Sequence, residues 1–183
     1  MSPTVPSTRR AQIVEAARHL LEEHGPGALS MRNVAAAIGI RAPSLYEHVT
    51  DKRALESAII AAGLEEQGVA LTEAVAETRD GDDALMALSM AWRRWALAHP
   101  HVYRLIYVRD LDRSDPAVAA AEQAAGAPLR ALCGGDVSAA RVIWSFAHGM
   151  VSLELSERFP PGTDVDELWV RGLGALRGLL PPR

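Results

Sequence analysis

LSMRNVAAAIGIRAPSLYEHVTDKR, residues 29–53, contains two short helix signals separated by a tight turn. Ser30 is a favourable N-cap for the first helix, because its hydroxyl can accept a hydrogen bond from a free backbone N–H group. Gly39 ends that helix, since glycine takes a left-handed backbone conformation at little cost. The pattern predicts a helix-turn-helix. The apolar stripe of its first helix is formed by Val34, Ala35 and Ile38.

The second helix of this stretch begins at Pro43, which suits the first position of a helix. Leu45 and Val49 lie four residues apart on one face and are expected to point inward. The outward face is small, polar and aromatic, which suits a helix that enters a DNA major groove about 12 Å wide. An ordinary pair of core helices with a solvated face would show the same spacing, so the pattern alone leaves both interpretations open. The outward residues are Arg41, Ala42, Ser44, Tyr46 and His48.

At residues 39–55, GIRAPSLYEHVTDKRAL, the chain resembles the DNA-binding domain of the TetR family of transcriptional repressors. The likeness covers residues 8–60, from an amphipathic first helix to the Asp-Lys-Arg that opens the helix after the motif. Val49 stands where the family pattern has an aromatic residue, and it fills the same apolar site with a smaller side chain. A second likeness lies at residues 144–149, which resemble a Trp-xxx-His-Gly signature in the C-terminal domain of one TetR subgroup.

The resemblance implies a set of DNA contacts. Residues 41–44 begin the recognition helix and are expected to meet base edges, where arginine suits guanine and small apolar groups suit the thymine methyl. Arg32 is expected to reach a guanine edge or a phosphate, or to be solvated. Tyr46, His48 and Lys52 are expected to hold phosphates, although Tyr46 could also pack against the first helix. The predicted DNA-binding residues are Ser30, Arg32, Arg41, Ala42, Pro43, Ser44, Tyr46, His48 and Lys52.

The 183 residues fit one domain or two small ones, and their charge is unevenly distributed. Residues 1–53 hold seven Arg or Lys and five Asp or Glu, a net charge of +2, which leaves −6 on the remainder of a chain with a net charge of −4. This indicates a small basic head that meets phosphates and an acidic body. The lone Cys133 and the lack of a secretory or membrane-spanning apolar run predict a cytoplasmic protein.

The remaining helix signals predict an all-α fold, with an N-terminal three-helix helix-turn-helix domain joined to a C-terminal helical ligand-binding and dimerisation domain. The predicted domains are residues 1–53, which include an N-terminal arm, and residues 54–183. Asp51 is expected to cap a long helix toward residue 77, in which Gly68 marks either a bend or close helix packing. Pro128 is expected to interrupt an alanine-rich helix. The other predicted helical segments are 8–24, 83–98, 116–125, 137–158 and 164–180, and a short segment, 101–108, follows the second of them.

Residues 137–158 predict a helix that is apolar on nearly all sides. One face is expected to pack in the body's own core and another against a second subunit, together with the last helix. Such a homodimer, built about a two-fold axis, could present two heads about 34–36 Å apart to one palindrome. The alternative is that both helices are internal. The predicted interface residues are Ile143, Phe146, Met150, Leu153, Leu168, Trp169, Leu173 and Leu176.

The C-terminal body also holds aromatic, methionine and histidine side chains that could line an apolar cavity with a few polar groups, the usual composition of a small-molecule site. Stripes of this kind also form ordinary core, and that alternative stays open. An apolar or aromatic effector is expected. The predicted effector-binding residues are Met86, Met90, Trp92, Trp95, His99, Tyr103, Tyr107, Trp144 and His148.

Catalytic and metal-binding motifs are missing from the sequence, which has no HExxH, GxSxG, glycine-rich phosphate loop or CxxC. We therefore predict no catalytic residues, no cofactor and no metal. The predicted function is a TetR-like repressor that binds a palindromic operator as a dimer and releases it when the effector binds. The alternatives are a DNA-binding structural or chromosome-organising protein without an effector, and a helical enzyme.

Overall fold

The structure, a computed structural model, describes residues 8–78, 81–108 and 111–182. Within those ranges the structure consists of helices joined by turns and loops, without any strand, which confirms the predicted all-α fold. Nine α-helices follow one another along these ranges. They are α1 (Arg9–His24), α2 (Met31–Ala37), α3 (Ala42–Tyr46), α4 (Lys52–Ala76), α5 (Gly81–Ala98), α6 (Pro100–Tyr107), α7 (Pro116–Leu132), α8 (Val137–Leu155) and α9 (Val165–Leu176).

Polar side chains cap the beginnings of these helices where the sequence indicates. The Ser30 hydroxyl accepts a hydrogen bond from the Asn33 N–H group at 3.2 Å, and an Asp51 carboxylate oxygen accepts one from the Ala54 N–H group at 2.8 Å. Both caps confirm the predicted helix starts. Each satisfies a backbone donor that the first turn leaves without an intrahelical partner.

The chain forms two compact units. One contains the residues up to Gly63 together with His101–Ala120, and the other contains Leu64–Pro100 together with the residues from Ala121 onward. We call them the head unit and the body unit. The domain boundary that the sequence suggests after Arg53 stays a prediction.

In the head unit, α2 packs on both α1 and α3. Leu45 and Val49, the two inward residues predicted for the second helix of the motif, are 0% and 3% exposed. They share the core with fully buried apolar side chains, namely Ile13, Ala17, Val34, Leu55 and Ile59. This core holds the outward face of α3 at a fixed angle, because a buried apolar stripe leaves a helix little freedom to rotate.

In the body unit, α5, α8 and α9 pack on one another. Gly172 of α9 lies directly against the Phe146 ring of α8, where an added Cβ atom would clash with the ring. An added Cβ atom at Gly68 of α4 would lie 3.1 Å from the Ala125 Cα atom of α7. Of the two predicted roles for Gly68, close helix packing is the one that this contact supports.

The helix α7 corrects the predicted interruption at Pro128, since it continues through the proline to Leu132. Proline removes one backbone donor and crowds the preceding turn. Next to the proline, the Arg130 guanidinium reaches back along the helix and donates a hydrogen bond to the Gln123 carbonyl at 2.5 Å. Gly126 leaves room for it, since an added Cβ atom would lie 2.5 Å from the Arg130 Nη1 atom. Of the helices described, none combines the length and apolar character needed to cross a membrane.

Candidate functional site

The turn between α2 and α3 has the geometry that its glycine predicts. Gly39 has a φ angle of +68°, in the left-handed region. The Gly39 N–H group donates to the Ala36 carbonyl at 3.2 Å, and the Ile40 N–H group donates to the Ala35 carbonyl at 3.0 Å. These two hydrogen bonds form a Schellman motif, which satisfies the last carbonyls of α2 and reverses the chain within three residues.

The helix α3 presents a polar surface. It is a five-residue helix preceded by Arg41, whose carbonyl accepts the first hydrogen bond, from Ser44 N–H at 3.0 Å. Tyr46 is 50% exposed, so its ring is shared between solvent and the protein surface. Most predicted contact residues of this helix and its flanks are exposed, with Ala42 half-buried. The exposed ones are Arg41, Pro43, Ser44, Tyr46 and His48.

The other predicted DNA-binding residues flank this helix in the same unit. Arg32 in α2 and Lys52 at the start of α4 are exposed, whereas Ser30 is half-buried and its hydroxyl is occupied as a cap. A second cation, Arg53, follows Lys52, and sequence reasoning did not single it out. All nine predicted residues thus lie in the head unit, and their contacts with DNA stay a prediction.

A carboxylate ties α1 to the beginning of α6 inside the head unit. The two Glu22 carboxylate oxygens accept hydrogen bonds from the N–H groups of His101 and Val102, at 3.1 Å and 2.8 Å. Glu22 therefore caps a helix that begins nearly 80 residues later in the sequence. The negative charge also interacts favourably with the positive end of the α6 dipole.

Aromatic side chains form two clusters in the body unit. The ring centroids of Trp92 and Trp144 are 6.4 Å apart, and the His148 ring stacks on Trp144 at 5.3 Å with an interplanar angle of 12°. The second cluster contains Trp95, whose ring lies 5.3 Å from the His99 ring. His99 Nε2 in turn lies 3.3 Å from a Glu66 carboxylate oxygen. Burial lowers the pKa of His148, so its ring favours the neutral form.

The predicted effector residues are divided between the two units. Met86 and Met90 are half-buried in the body unit, beside the aromatic clusters along α5. Tyr103 and Tyr107 belong to the head unit, where their ring centroids are 4.8 Å apart. Burial, and to a lesser extent the neighbouring Tyr107, raises the pKa of the Tyr103 hydroxyl. The structure therefore places seven of the nine predicted residues in one unit, and an effector role for any of them stays a prediction.

Two buried polar atoms on α5 have no hydrogen-bond partner within the part of the chain that the structure describes. They are the Ser89 hydroxyl oxygen and the Trp95 Nε1 atom, in side chains that are 0% and 6% exposed. A buried donor without a partner is costly, and native proteins contain few of them. Ser89 was missed by sequence reasoning, because a lone serine within an amphipathic helix carries no signal of its burial.

A charged network connects α5, α8 and α9. Glu154 accepts hydrogen bonds from Trp169 Nε1 at 2.8 Å and from Arg93 Nε at 2.9 Å, and Arg93 Nη1 lies 2.5 Å from Asp166. The Arg93 guanidinium carbon also lies 5.9 Å from the centroid of a Trp169 ring. Burial opposes the charged form of Arg93, but the bonds to Asp166 and Glu154 outweigh burial and raise the pKa of Arg93. Nothing in the sequence links these four residues, since the network joins three separate helices.

The predicted interface residues are divided between the core and the surface of the body unit. Ile143, Trp169 and Leu173 are at most 1% exposed, and Met150 is 8% exposed. Leu153 and Leu168 are 43% and 37% exposed, while Phe146 and Leu176 are half-buried. Four further exposed apolar residues lie on the same two helices and were not on the predicted list. They are Val137, Val142, Trp144 and Val170.

No group of three or more His, Cys, Asp or Glu side chains with the spacing of a metal site occurs within residues 8–78, 81–108 and 111–182.

Comparisons with known proteins cover both units. The family profile described as "Bacterial regulatory proteins, tetR family" matches residues 13–59, and the profile described as "Tetracyclin repressor-like, C-terminal domain" matches residues 85–176. A relative from Mycobacterium tuberculosis, the uncharacterized HTH-type transcriptional regulator Rv0681, is 31% identical over 154 residues, which cover 80% of this chain and 70% of the relative.

Solved structures share the fold. A protein of unknown function from Rhodococcus sp. RHA1 has a TM-score of 0.83 at 24% identity, with 99% of this chain and 100% of that chain covered. A TetR variant from Acinetobacter baumannii AYE in complex with minocycline has a TM-score of 0.66 at 24% identity, with 93% and 94% covered.

Proposed function

The chain belongs to the TetR family of transcriptional regulators, and from this premise we propose that it is a repressor that binds a palindromic operator as a homodimer. We propose further that an apolar or aromatic small molecule binds the body unit and releases the operator. A regulator of this kind binds chromosomal DNA in the bacterial cytoplasm, which agrees with the location expected from the sequence.

The DNA-binding proposal rests on one observation: α3 has an exposed polar face, and its opposite face is buried in the apolar core. Leu45 and Val49 anchor the helix, while Arg41, Ser44 and Tyr46 point away from the core. Side chains at the start of such a helix can reach base edges in the major groove, and those at its end can hold phosphates. We assign base contacts to residues 41–44 and phosphate contacts to Tyr46, His48 and Lys52.

Dimerisation is supported by the apolar surface of α8. Val142 and Leu153 lie about three turns apart on one face of this helix and are 49% and 43% exposed. Between them lies Gly149, where an added Cβ atom would meet nothing within 4 Å. A second copy of α8 could therefore approach this face closely, and Leu168 of α9 would extend the contact. Covering such a surface about a two-fold axis gives a closed dimer with two heads.

Effector binding is supported by the aromatic clusters of the body unit and the two polar atoms near them. An apolar site with a few hydrogen-bonding groups is the usual composition of a small-molecule pocket. A ligand with a hydrogen-bond acceptor would satisfy the Trp95 N–H group, and the Ser89 hydroxyl could donate or accept. The effector needs to favour the conformation that cannot bind DNA by only a few kcal/mol to release the operator.

DNA binding is tested with duplexes from the region upstream of the coding sequence, since regulators of this kind commonly control neighbouring genes. We expect specific binding that weakens steeply with salt, because phosphate contacts release counterions. Arg41→Ala and Tyr46→Ala should weaken binding, while the far-UV circular dichroism spectrum of the protein stays unchanged. Unchanged operator affinity in both variants would contradict the assigned contacts.

Dimerisation is tested by placing a charge on the apolar face of α8. Leu153→Arg should shift the molecular mass in sedimentation equilibrium from dimer to monomer, because the two-fold axis would bring two like charges together. Val137→Arg is the matched control, since Val137 is also exposed but points from a different face of α8. A Leu153→Arg protein that stays dimeric would refute the assigned surface.

Effector binding is tested with a panel of apolar and aromatic compounds that includes minocycline. A compound that raises the melting temperature and releases DNA would support the repressor, whereas a panel without any such compound would favour the structural DNA-binding alternative. For a compound that binds, Trp95→Phe should weaken binding about twofold to tenfold, the range for loss of one hydrogen bond.

A further inference from the structure

An ion pair joins the first turn of α4 to the chain segment between α6 and α7. The Arg53 Nη2 atom lies 2.8 Å from the Asp112 Oδ2 atom. Both residues lie in the head unit, although they are 59 positions apart in the sequence. Arg53 comes directly after Lys52, to which a phosphate contact was assigned above.

Ser114 holds the Asp112 carboxylate in place independently of Arg53. The Asp112 Oδ1 atom accepts hydrogen bonds from the Ser114 hydroxyl and from the Ser114 N–H group, at 2.5 Å and 3.1 Å. These bonds, with a smaller contribution from the Arg53 charge, keep the pKa of Asp112 below its usual value. The carboxylate is therefore ionised at neutral pH and presents its second oxygen atom to the guanidinium.

The Arg53 side chain remains accessible to another ligand, since it is 77% exposed even while it is paired. A guanidinium binds carboxylates and phosphates with the same planar arrangement of donors. The neighbouring Lys52 Nζ atom lies 3.8 Å from a Glu56 carboxylate oxygen, so both cations at the start of α4 are paired with carboxylates in the absence of DNA.

We propose that Arg53 is a DNA phosphate-binding residue and that Asp112 competes with the phosphate for its guanidinium. This inference rests on the proposed DNA-binding function. Asp112 is then a positioning residue that lowers operator affinity without touching DNA. On binding, Arg53 exchanges the carboxylate for a phosphate, and any conformational change that carries Asp112 away from α4 makes that exchange easier.

The size of the competition follows from the exposure of the pair. Exposed ion pairs contribute little, so removing the Asp112 charge should strengthen operator binding by about twofold to fivefold. Losing the Arg53 charge should remove one phosphate contact, which reduces the slope of log affinity against log salt concentration by about 0.9.

The experiment measures duplex binding by fluorescence anisotropy over a series of salt concentrations, with the full-length chain and DNA from upstream of its coding sequence. Asp112→Asn should bind more tightly than the wild type with an unchanged slope, and Asp112→Glu should restore the wild-type affinity. Arg53→Gln should bind more weakly with a shallower slope, and Arg53→Lys should restore the slope. In the double variant Arg53→Gln/Asp112→Asn, the gain from the Asp112 substitution should disappear.

One control variant distinguishes competition from a general effect of charge. Asp115→Asn removes the same charge from the same segment, and asparagine can still accept the capping hydrogen bond that Asp115 receives from Ala117 at 2.9 Å. It should leave the affinity within a factor of about two, because Arg53 is paired with Asp112 and charges that do not contact the ligand are largely screened by salt. Circular dichroism melts confirm that every variant is folded.

Several outcomes would overturn the proposal. They are a wild-type slope in Arg53→Gln, an undiminished gain from Asp112→Asn when Gln stands at position 53, and weaker binding by Asp112→Asn alone. Each requires that the wild type binds DNA. A wild-type chain that binds no duplex at low salt would instead contradict the proposed DNA-binding function.

Discussion

Replacing Glu154 with alanine should destabilise the body unit by about 3 kcal/mol, at the lower end of the range for removing one partner of a buried ion pair. The Glu154 and Arg93 side chains are 11% and 18% exposed, so water can replace little of what is lost. The substitution removes the acceptor of the Trp169 N–H group, in a side chain that is 0% exposed. Arg93 keeps Asp166 as a partner, because the Asp166 side chain is 80% exposed and can move with it. We therefore expect a loss at the lower end of the range for a broken buried ion pair.

Urea unfolding followed by circular dichroism measures this difference at one fixed protein concentration, because dimerisation would add to the apparent stability. The melting temperature should fall by about 6–12 °C if unfolding is two-state. Asp166→Ala is the matched control, and its exposure limits the expected loss to about 1 kcal/mol or less. A loss below about 1 kcal/mol in Glu154→Ala would refute the reasoning, since breaking a paired buried charge costs more than that. Glu154→Gln should fall between the two, because it keeps an acceptor for the indole but loses the charge.

Three further predictions concern local features. Glu157 follows α8 with a φ angle of +51°, a left-handed conformation that glycine adopts at lower cost. Glu157→Gly should therefore raise the free energy of unfolding by about 0.5–1 kcal/mol in the same urea assay. A lower free energy of unfolding would mean that the side chain has another role. Glu22→Gln should lower it by about 1 kcal/mol through a weaker cap on α6, whereas the adjacent Glu23→Gln should change it by less than about 0.5 kcal/mol, and equal effects would exclude the cap as the cause. Burial lowers the pKa of His148, so the folded chain binds that proton less readily than the unfolded chain, and the free energy of unfolding should decrease as the pH falls below 6.5. His148→Phe should reduce this decrease, which urea titrations at a series of pH values would detect, and an identical pH dependence would contradict it.

Local signals in the sequence were sufficient to predict the helix-turn-helix of the head unit. The turn at Gly39, the caps at Ser30 and Asp51, and the inward stripe that includes Leu45 each depend on neighbours within about five positions along the chain. Backbone preference and helical spacing determine such features, so they can be predicted without knowing the rest of the fold. The exposed face of α3 follows from the same spacing.

Distant contacts were not accessible in this way. Glu22 and Asp112 look like ordinary surface acids in the sequence, yet one caps α6 and the other holds Arg53. Pro128 looks like a helix end, yet α7 continues through it to Leu132, and the Arg130 side chain reaches back about two turns to the Gln123 carbonyl. In each case the missing information is the position of a partner that only the folded chain supplies.

The sequence by itself determined that this protein is helical, that its N-terminal segment forms a helix-turn-helix and which residues of α3 face outward, because periodicity and turn chemistry act over a few residues. The tertiary structure decided which apolar residues are core and which are surface: Trp169 and Leu153 both look like interface residues in the sequence, but one is 0% and the other 43% exposed. It also placed Tyr103 with the head unit and Trp95 with the body unit. The physical reason is that burial depends on which helices pack together, and the apolar character of a side chain does not indicate which surface covers it.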